Sequence, residues 1–239
     1  MPGIAIVPAL NEEGSIARVI EEIRAYDPEL RIVVVDDGST DRTAEAARAA
    51  DAMVLRLPFN LGIGGAVQTG LRYAHENGFE FAVRVDGDGQ HDAAQLATVI
   101  EPVLRDEADI AVGSRYLGLG GEGYRATASR RLGIRILAST VSLLTRQRIT
   151  DPTSGFQALN RKAIALFAAD YPHDYPEVEG LVLLVRHRLR LREVPIEMRP
   201  RATGRSSIRT LSSAYYMVKV LLALFVGSFR RYVVPLEDK

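Results

Sequence analysis

The run FAVRVDGDGQH carries Asp86 and Asp88 two residues apart where an apolar strand runs out, with Gln90 two residues further on. In an extended chain residues i and i+2 share a face, and Gly87 and Gly89 let the backbone bend without steric cost. Both carboxylates and the Gln90 amide oxygen can then approach one ion. A hard oxygen set of this kind suits Mg2+ or Mn2+, ions that keep coordination positions open for water and substrate phosphates. The substrate group it implies is a diphosphate. Asp-Gly is also an ordinary turn sequence, so the pattern alone has a second reading as an acidic turn without metal. His91 fits either a further ligand or a structural role.

Two other loops end in residues that could bind a nucleotide. RIVVVDDGSTDRT puts Asp36 and Asp37 at the end of an apolar strand, with Ser39, Thr40 and Asp41 placed to cap the next helix. Capping does not explain two consecutive carboxylates at a strand end. A ribose hydroxyl or a base N–H is a natural partner for one of them, as in dinucleotide folds, and the other is expected to be structural. In PALNEEG, Asn11 and Glu12 stand at the entry to a helix, where an acid also complements the helix dipole. NLGIGGAVQTG has glycines ahead of a helix but lacks the lysine of a phosphate-binding loop and does not come after the first strand. It reads as close packing of a helix start against the donor loops.

Elements of alternating type must position these loops. GIAIV, RIVVVD, MVLRL, FAVRVD and DIAVGS read as strands, and 13–26, 41–50, 64–77 and 92–105 as helices between them. Strands apolar on both faces belong to a mostly parallel sheet covered by helices, and ligands of such sheets sit beyond the carboxyl ends of the strands. Further on, LGLGGEGY reads as a glycine-rich loop, 130–148 as a helix with arginines on its polar side, and DPTSGFQALN as a turn and a short strand. A helix is expected over 178–188, and LREVPIEM as a late strand.

The 239 residues suffice for one α/β domain over residues 1–209, followed by an apolar or amphipathic helix and tail over 210–239. The C-terminal run YYMVKVLLALFVGSF demands burial, yet falls short of the roughly 20 apolar residues of a bilayer span. The core, a second subunit in a homodimer, or a membrane surface with Lys219, Arg230 and Arg231 at the headgroups could each cover it. Thirty basic and thirty acidic side chains leave no net field to attract nucleic acid. Cysteine is absent, which excludes disulfides and thiolate sites. The N-terminus has no basic and apolar leader pattern, so no secretion is expected.

PALNEEG, VVDDGSTDRT, NLGIGGAVQTG, DGDGQHD, GSR and DPTSGF, in this order across roughly residues 3–209, resemble the family-2 inverting glycosyltransferases. Within that family they are most similar to the branch of dolichol- and polyprenyl-phosphate mannosyltransferases. The resemblance implies a GT-A fold, a Rossmann-like, mostly parallel sheet flanked by helices. It also implies a nucleotide-sugar donor such as GDP-mannose or UDP-glucose, and a divalent cation, Mg2+ or Mn2+. Carried over by position, Pro8, Leu10, Glu12, Val35 and Asp37 line the nucleoside pocket, with Asp86 and Gly87 completing the donor site, and Asp86, Asp88 and Gln90 hold the metal. Leu10 stands where many relatives have an aromatic residue. Arg115, one of Arg130 and Arg131, and Arg201 match arginines that hold phosphates in the lipid-phosphate branch. Asp151 stands where relatives place an acid near the acceptor.

The expected reaction is one in-line displacement at the anomeric carbon, with Asp88, Arg115 and Asp151 as its catalytic residues. A hydroxyl acceptor needs a base, for which Asp151 is the candidate; an ionised lipid phosphate needs none. The arginines and the apolar C-terminus favour the polyprenyl phosphate over a soluble or saccharide acceptor. A sugar-phosphate nucleotidyltransferase and a non-catalytic nucleotide-sugar-binding module are the other classes. The expected location is cytoplasmic, with peripheral contact at the inner face of the membrane or through a membrane-protein partner.

Overall fold

Strands that are apolar at every position need cover on both faces, and the helices between them supply it. A computed structural model of the protein describes residues 2–117, 128–199 and 219–225. Strands β1 (Gly3–Ala9), β2 (Arg31–Asp36), β3 (Met53–Arg56), β4 (Phe81–Arg84), β5 (Ile110–Ser114), β6 (Gln157–Asn160) and β7 (Leu191–Pro195) form one sheet. Its order is β3-β2-β1-β4-β6-β5-β7. All neighbours are parallel except β6, which runs against both β4 and β5.

The helices are α1 (Ile16–Tyr26), α2 (Thr43–Ala49), α3 (Gly62–Glu76), α4 (Leu96–Leu104), α5 (Ala128–Thr145), α6 (Arg161–Ala169) and α7 (Pro176–Arg186). Alternation along each strand divides the core in two. On one face Ala5, Val7, Val34 and Val83 meet Ile16, Ile20 and Ile23 of α1 and Leu96, Val99 and Val103 of α4. On the other, Ile4, Ile6, Val33 and Val35 meet Leu71 of α3, Val141 of α5, Phe167 of α6 and Leu184 of α7.

The expected α/β sheet is present, and the expected strands and most helices form within a few residues of their predicted limits. One element, α6, has no counterpart in the sequence reading. Its start carries a signal, because the Asn160 side chain accepts the Ala163 N–H at 3.0 Å in the manner of an N-cap. Helix α7 starts two residues earlier than predicted, with Pro176 in its first turn. Residues 219–225 are helical, and Val220 and Leu224 join the core on the α7 side. Docking on the core is therefore realised for that stretch. The boundary near 209–210, the loop 118–127 and the basic residues Arg230 and Arg231 lie outside the described residues. Among the described residues no helix is long and apolar enough to cross a membrane.

The glycines of NLGIGGAVQTG do serve close packing, but against a different partner from the one expected. A methyl group on Gly64 would stand 2.7 Å from the carbonyl oxygens of Pro172 and His173, in the loop after α6. Backbone on that side cannot yield as a flexible side chain would. Gly64→Val is expected to lower stability by about 1–3 kcal/mol, the usual range for overpacking, measured by urea unfolding.

Candidate active site

Because β2, β1 and β4 are parallel neighbours, the loops after them lie side by side at one edge of the sheet. The first two are laced together. Asn11 N–H donates to Ser39 Oγ at 2.9 Å, Glu12 N–H to Thr43 Oγ1 at 2.8 Å, and Thr40 N–H to Asn11 Oδ1 at 2.9 Å. Asn11 does this from a left-handed backbone, φ 55°. Ser39 and Thr40 thus join loop to loop rather than cap α2; near that helix start Asp41 accepts the Thr43 N–H and Glu13 the Arg42 N–H, each at 3.0 Å. The third loop joins through Ser15, whose hydroxyl oxygen lies 2.8 Å from the Gly87 carbonyl and 2.9 Å from Glu12 Oε2, with one proton to give between them.

Asp36 and Asp37 are both buried, and they differ in their partners. Asp37 Oδ1 accepts the Leu61 N–H at 2.7 Å, tying β2 to the start of α3. Burial pushes the Asp37 carboxyl above its usual range, against the Leu61 and Gly62 N–H groups, and the Asp36 charge pushes the same way. Asp36 Oδ1 accepts the Ser39 N–H at 3.0 Å, while its Oδ2 has no hydrogen-bond partner among the described residues and lies 3.4 Å from Arg56 Nε. Both carboxylates thus carry contacts that hold the chain, Asp36 to Ser39 and Arg56 and Asp37 to Leu61. Val35 is packed wholly in the core beneath α3, so its side chain offers a ligand no surface. Pro8 is buried in β1, where its carbonyl accepts the Gly87 N–H at 3.2 Å, and Leu10 is exposed.

In the third loop Gly89 adopts φ 73° and turns the chain as expected. Asp88 Oδ1 accepts the Gln90 N–H at 3.0 Å, and Gln90 Nε2 points to the Arg199 carbonyl at 3.4 Å. His91 is buried and stacked on Phe156, ring centroids 4.7 Å apart. Its Nδ1 accepts the Asp86 N–H at 3.0 Å. Burial lowers its pKa despite the nearby Asp86 and Asp88 carboxylates, which keeps the imidazole neutral. With Nδ1 engaged by the backbone, His91 holds the loop in shape. Two carboxylates and an amide oxygen fit the incomplete shell that a magnesium-type ion leaves for substrate phosphates. Among the described residues no three His, Asp or Glu side chains converge so as to hold an ion by themselves.

Strand β6 runs backwards, so the turn before it, DPTSGF, reaches the same edge as Ser114 and Arg115 after β5. Arg115 there grips Asp151 with both arms, Nε to Oδ2 at 2.6 Å and Nη2 to Oδ1 at 2.7 Å, and adds its own N–H to Oδ2 at 3.1 Å. Asp151 has no exposed surface. To act as a base it would have to leave Arg115, so its geometry is that of a residue holding a cation in place. Glu193 of β7 in turn accepts the Thr150 and Asp151 N–H groups, each at 2.8 Å, and burial raises its pKa. Arg130 and Arg131 stand in the first turn of α5, with side chains outside the described residues, and Arg201 also lies outside them.

Residues 4–167 match the family model described as Glycosyl transferase family 2. The chain belongs to that family. An uncharacterized protein of Methanocaldococcus jannaschii is 34% identical over 194 residues, covering 80% of this chain and 79% of that one. The undecaprenyl-phosphate mannosyltransferase of Micrococcus luteus is 31% identical over 213 residues, 86% of each chain. The UDP-N-acetylglucosamine–dolichyl-phosphate N-acetylglucosaminyltransferase of Methanococcus voltae is 29% identical, covering 80% of this chain and 83% of that one. Among solved structures, glucosyl-3-phosphoglycerate synthase from Mycobacterium tuberculosis, in complex with Mn2+, UDP and glucosyl-3-phosphoglycerate, superposes with a TM-score of 0.71. It is 21% identical and covers 95% of this chain and 79% of that one, and the likeness establishes the GT-A-type fold.

Family motifs found most of the loop residues, and they passed over the groups that support them. Arg84, Glu177, Tyr171, Glu193 and Gly155 were not singled out. Arg84 carried a signal, as the single charge in the apolar run FAVRV, since a charged residue in a doubly covered strand is rarely without purpose. A methyl group on Gly155 would lie 2.7 Å from Arg84 Nη2 and 2.9 Å from Asp86 Oδ2, so only glycine fits in DPTSGF beside that pair. Asp151→Ala strands the buried Arg115 guanidinium and is expected to cost about 3–5 kcal/mol, where a purely exposed pair would cost under about 1 kcal/mol; chemical denaturation measures the difference.

Proposed function

We propose that this family-2 glycosyltransferase moves a hexose from a nucleotide-diphosphate sugar to a polyprenyl phosphate with inversion, aided by a divalent cation at Asp86, Asp88 and Gln90. The observation that carries the reading is the meeting of that oxygen set with the Arg115–Asp151 pair at one sheet edge. Gly155, in the same turn as Asp151, lies against Asp86, where a methyl group on it would stand 2.9 Å from Asp86 Oδ2. A site that pairs a cation-binding turn with a held arginine suits two phosphate groups, one on the donor and one on the acceptor.

The nucleoside end is assigned to the laced loops after β1 and β2. Asp86, Asp88 and Gln90 would hold a divalent cation, which would supply Lewis-acid stabilisation of the charge growing on the leaving group. An acceptor phosphate oxygen attacks the anomeric carbon as the bond to the donor diphosphate breaks, and the bonding pair leaves with the nucleoside diphosphate. Arg115, oriented by Asp151, stabilises phosphate charge, and Arg130, Arg131 and Arg201 are assigned to the same task by resemblance. A phosphate acceptor is already ionised, so the engagement of Asp151 with Arg115 is no obstacle; a hydroxyl acceptor would lack this base. The relatives from Micrococcus luteus and Methanococcus voltae, both named for lipid-phosphate acceptors, support that choice. Such an acceptor brings the protein to a membrane surface by peripheral contact.

The test is transfer of labelled sugar from UDP- and GDP-linked donors to a short-chain polyprenyl phosphate or to saccharides, with Mg2+, with Mn2+ and with EDTA. Cation-dependent labelling of the lipid phosphate is expected, and labelling of saccharides alone would overturn the acceptor assignment. Asp88→Ala is expected to stay folded and to lose at least about a hundredfold in kcat, together with the Mn2+-dependent rise in Tm caused by UDP or GDP. Full turnover in that variant would refute the cation site.

A further inference from the structure

Alternation along β4 sends Val83 to the α4 face and Arg84 to the α6–α7 face, at the last position of a central strand. Its side chain is only 4% exposed. Nε donates to Asp86 Oδ1 at 3.0 Å and Nη1 to Glu177 Oε1 at 2.8 Å, so the guanidinium lies between the cation-binding turn and the first turn of α7.

A buried guanidinium beside a carboxylate meant for a cation presents a problem. By itself it would cancel the charge of Asp86 and repel the ion in a medium that screens poorly. Glu177 offsets this. It stands at a helix N-terminus, where the dipole favours the ionised carboxylate. Asp86, Asp88 and Glu177 against one arginine leave two negative charges, the amount a divalent cation neutralises. Meanwhile the Nε bond holds the Asp86 carboxylate in one orientation, and Gly155 lets the turn before β6 close over both groups.

We infer that Arg84 and Glu177 are positioning residues that set the orientation and effective charge of Asp86 for the cation. This rests on the cation site proposed above. The alternative is a pair that merely fastens α7 to β4, and the two accounts differ in what they do to the metal. Replacing a whole buried ion pair by apolar residues is tolerated far better than removing one partner, so Arg84→Met/Glu177→Met provides a folded comparison if a single change unfolds the protein.

Mn2+ is titrated by electron paramagnetic resonance, alone and with UDP or GDP, into the parent, Glu177→Gln, Arg84→Lys and the double variant, each shown folded by its unfolding transition. A Kd raised about tenfold or more is expected in Glu177→Gln, which removes one negative charge, and in the double variant, which keeps the net charge but loses the Nε bond that orients Asp86, as for other groups that orient a metal ligand. Unchanged Mn2+ affinity in the folded double variant would leave the pair with a fastening role only and overturn the inference. A parent that takes up no Mn2+ with either nucleotide would instead sink the cation site, and this inference with it.

Discussion

Strand β6 enters the sheet between β4 and β5 against the direction of both, and that reversal decides which parts of the chain can meet. Parallel strands joined by right-handed crossovers present all their carboxyl ends at one edge, which is where ligands of such sheets bind. A further parallel strand could bring only the loop after it to that edge. An antiparallel strand brings the loop before it, here Asp151 to Gly155. The turn therefore packs Gly155 against Arg84 and Asp86, holds Arg115 through Asp151, and stacks Phe156 on His91.

The polar groups brought to this edge are buried, and burial makes partners obligatory. Arg84 is shared by Asp86 and Glu177, which keep it charged although burial opposes this. Arg115 is gripped by Asp151, which is itself fixed by Glu193. The reach of these links matters for function. They tie the Asp86–Gln90 turn to α7 and Arg115 to β7, so the candidate site is held by packed elements rather than by loops alone. The loops after β1 and β2 are joined more lightly, by hydrogen bonds near the surface.

Local signals made the sheet's parallel half readable. Unbroken apolar runs between helical patterns specify covered strands, and loops rich in Asp, Asn and Gly mark their carboxyl ends. The same signals misjudged details that depend on neighbours. Val35 was assigned to the nucleoside pocket by its position in the family motif, yet strand alternation turns its side chain into the core. Asp37 was assigned to the same pocket, and the start of α3 also takes one of its oxygens. Helix α6 was passed over although it follows β6 directly, with the Asn160 cap as its start.

By itself the sequence determined the α/β class, the order of the motifs and the oxygen chemistry of Asp86, Asp88 and Gln90, since these come from residue type and spacing over a few positions. Only the tertiary structure decided the direction of β6, the pairing of Arg115 with Asp151, and the meeting of Arg84 with Glu177, which lies 93 residues further along the chain. Those depend on which strand ends and helix starts the fold brings into contact, and on the cost of burying a charge without a partner. No local pattern encodes either.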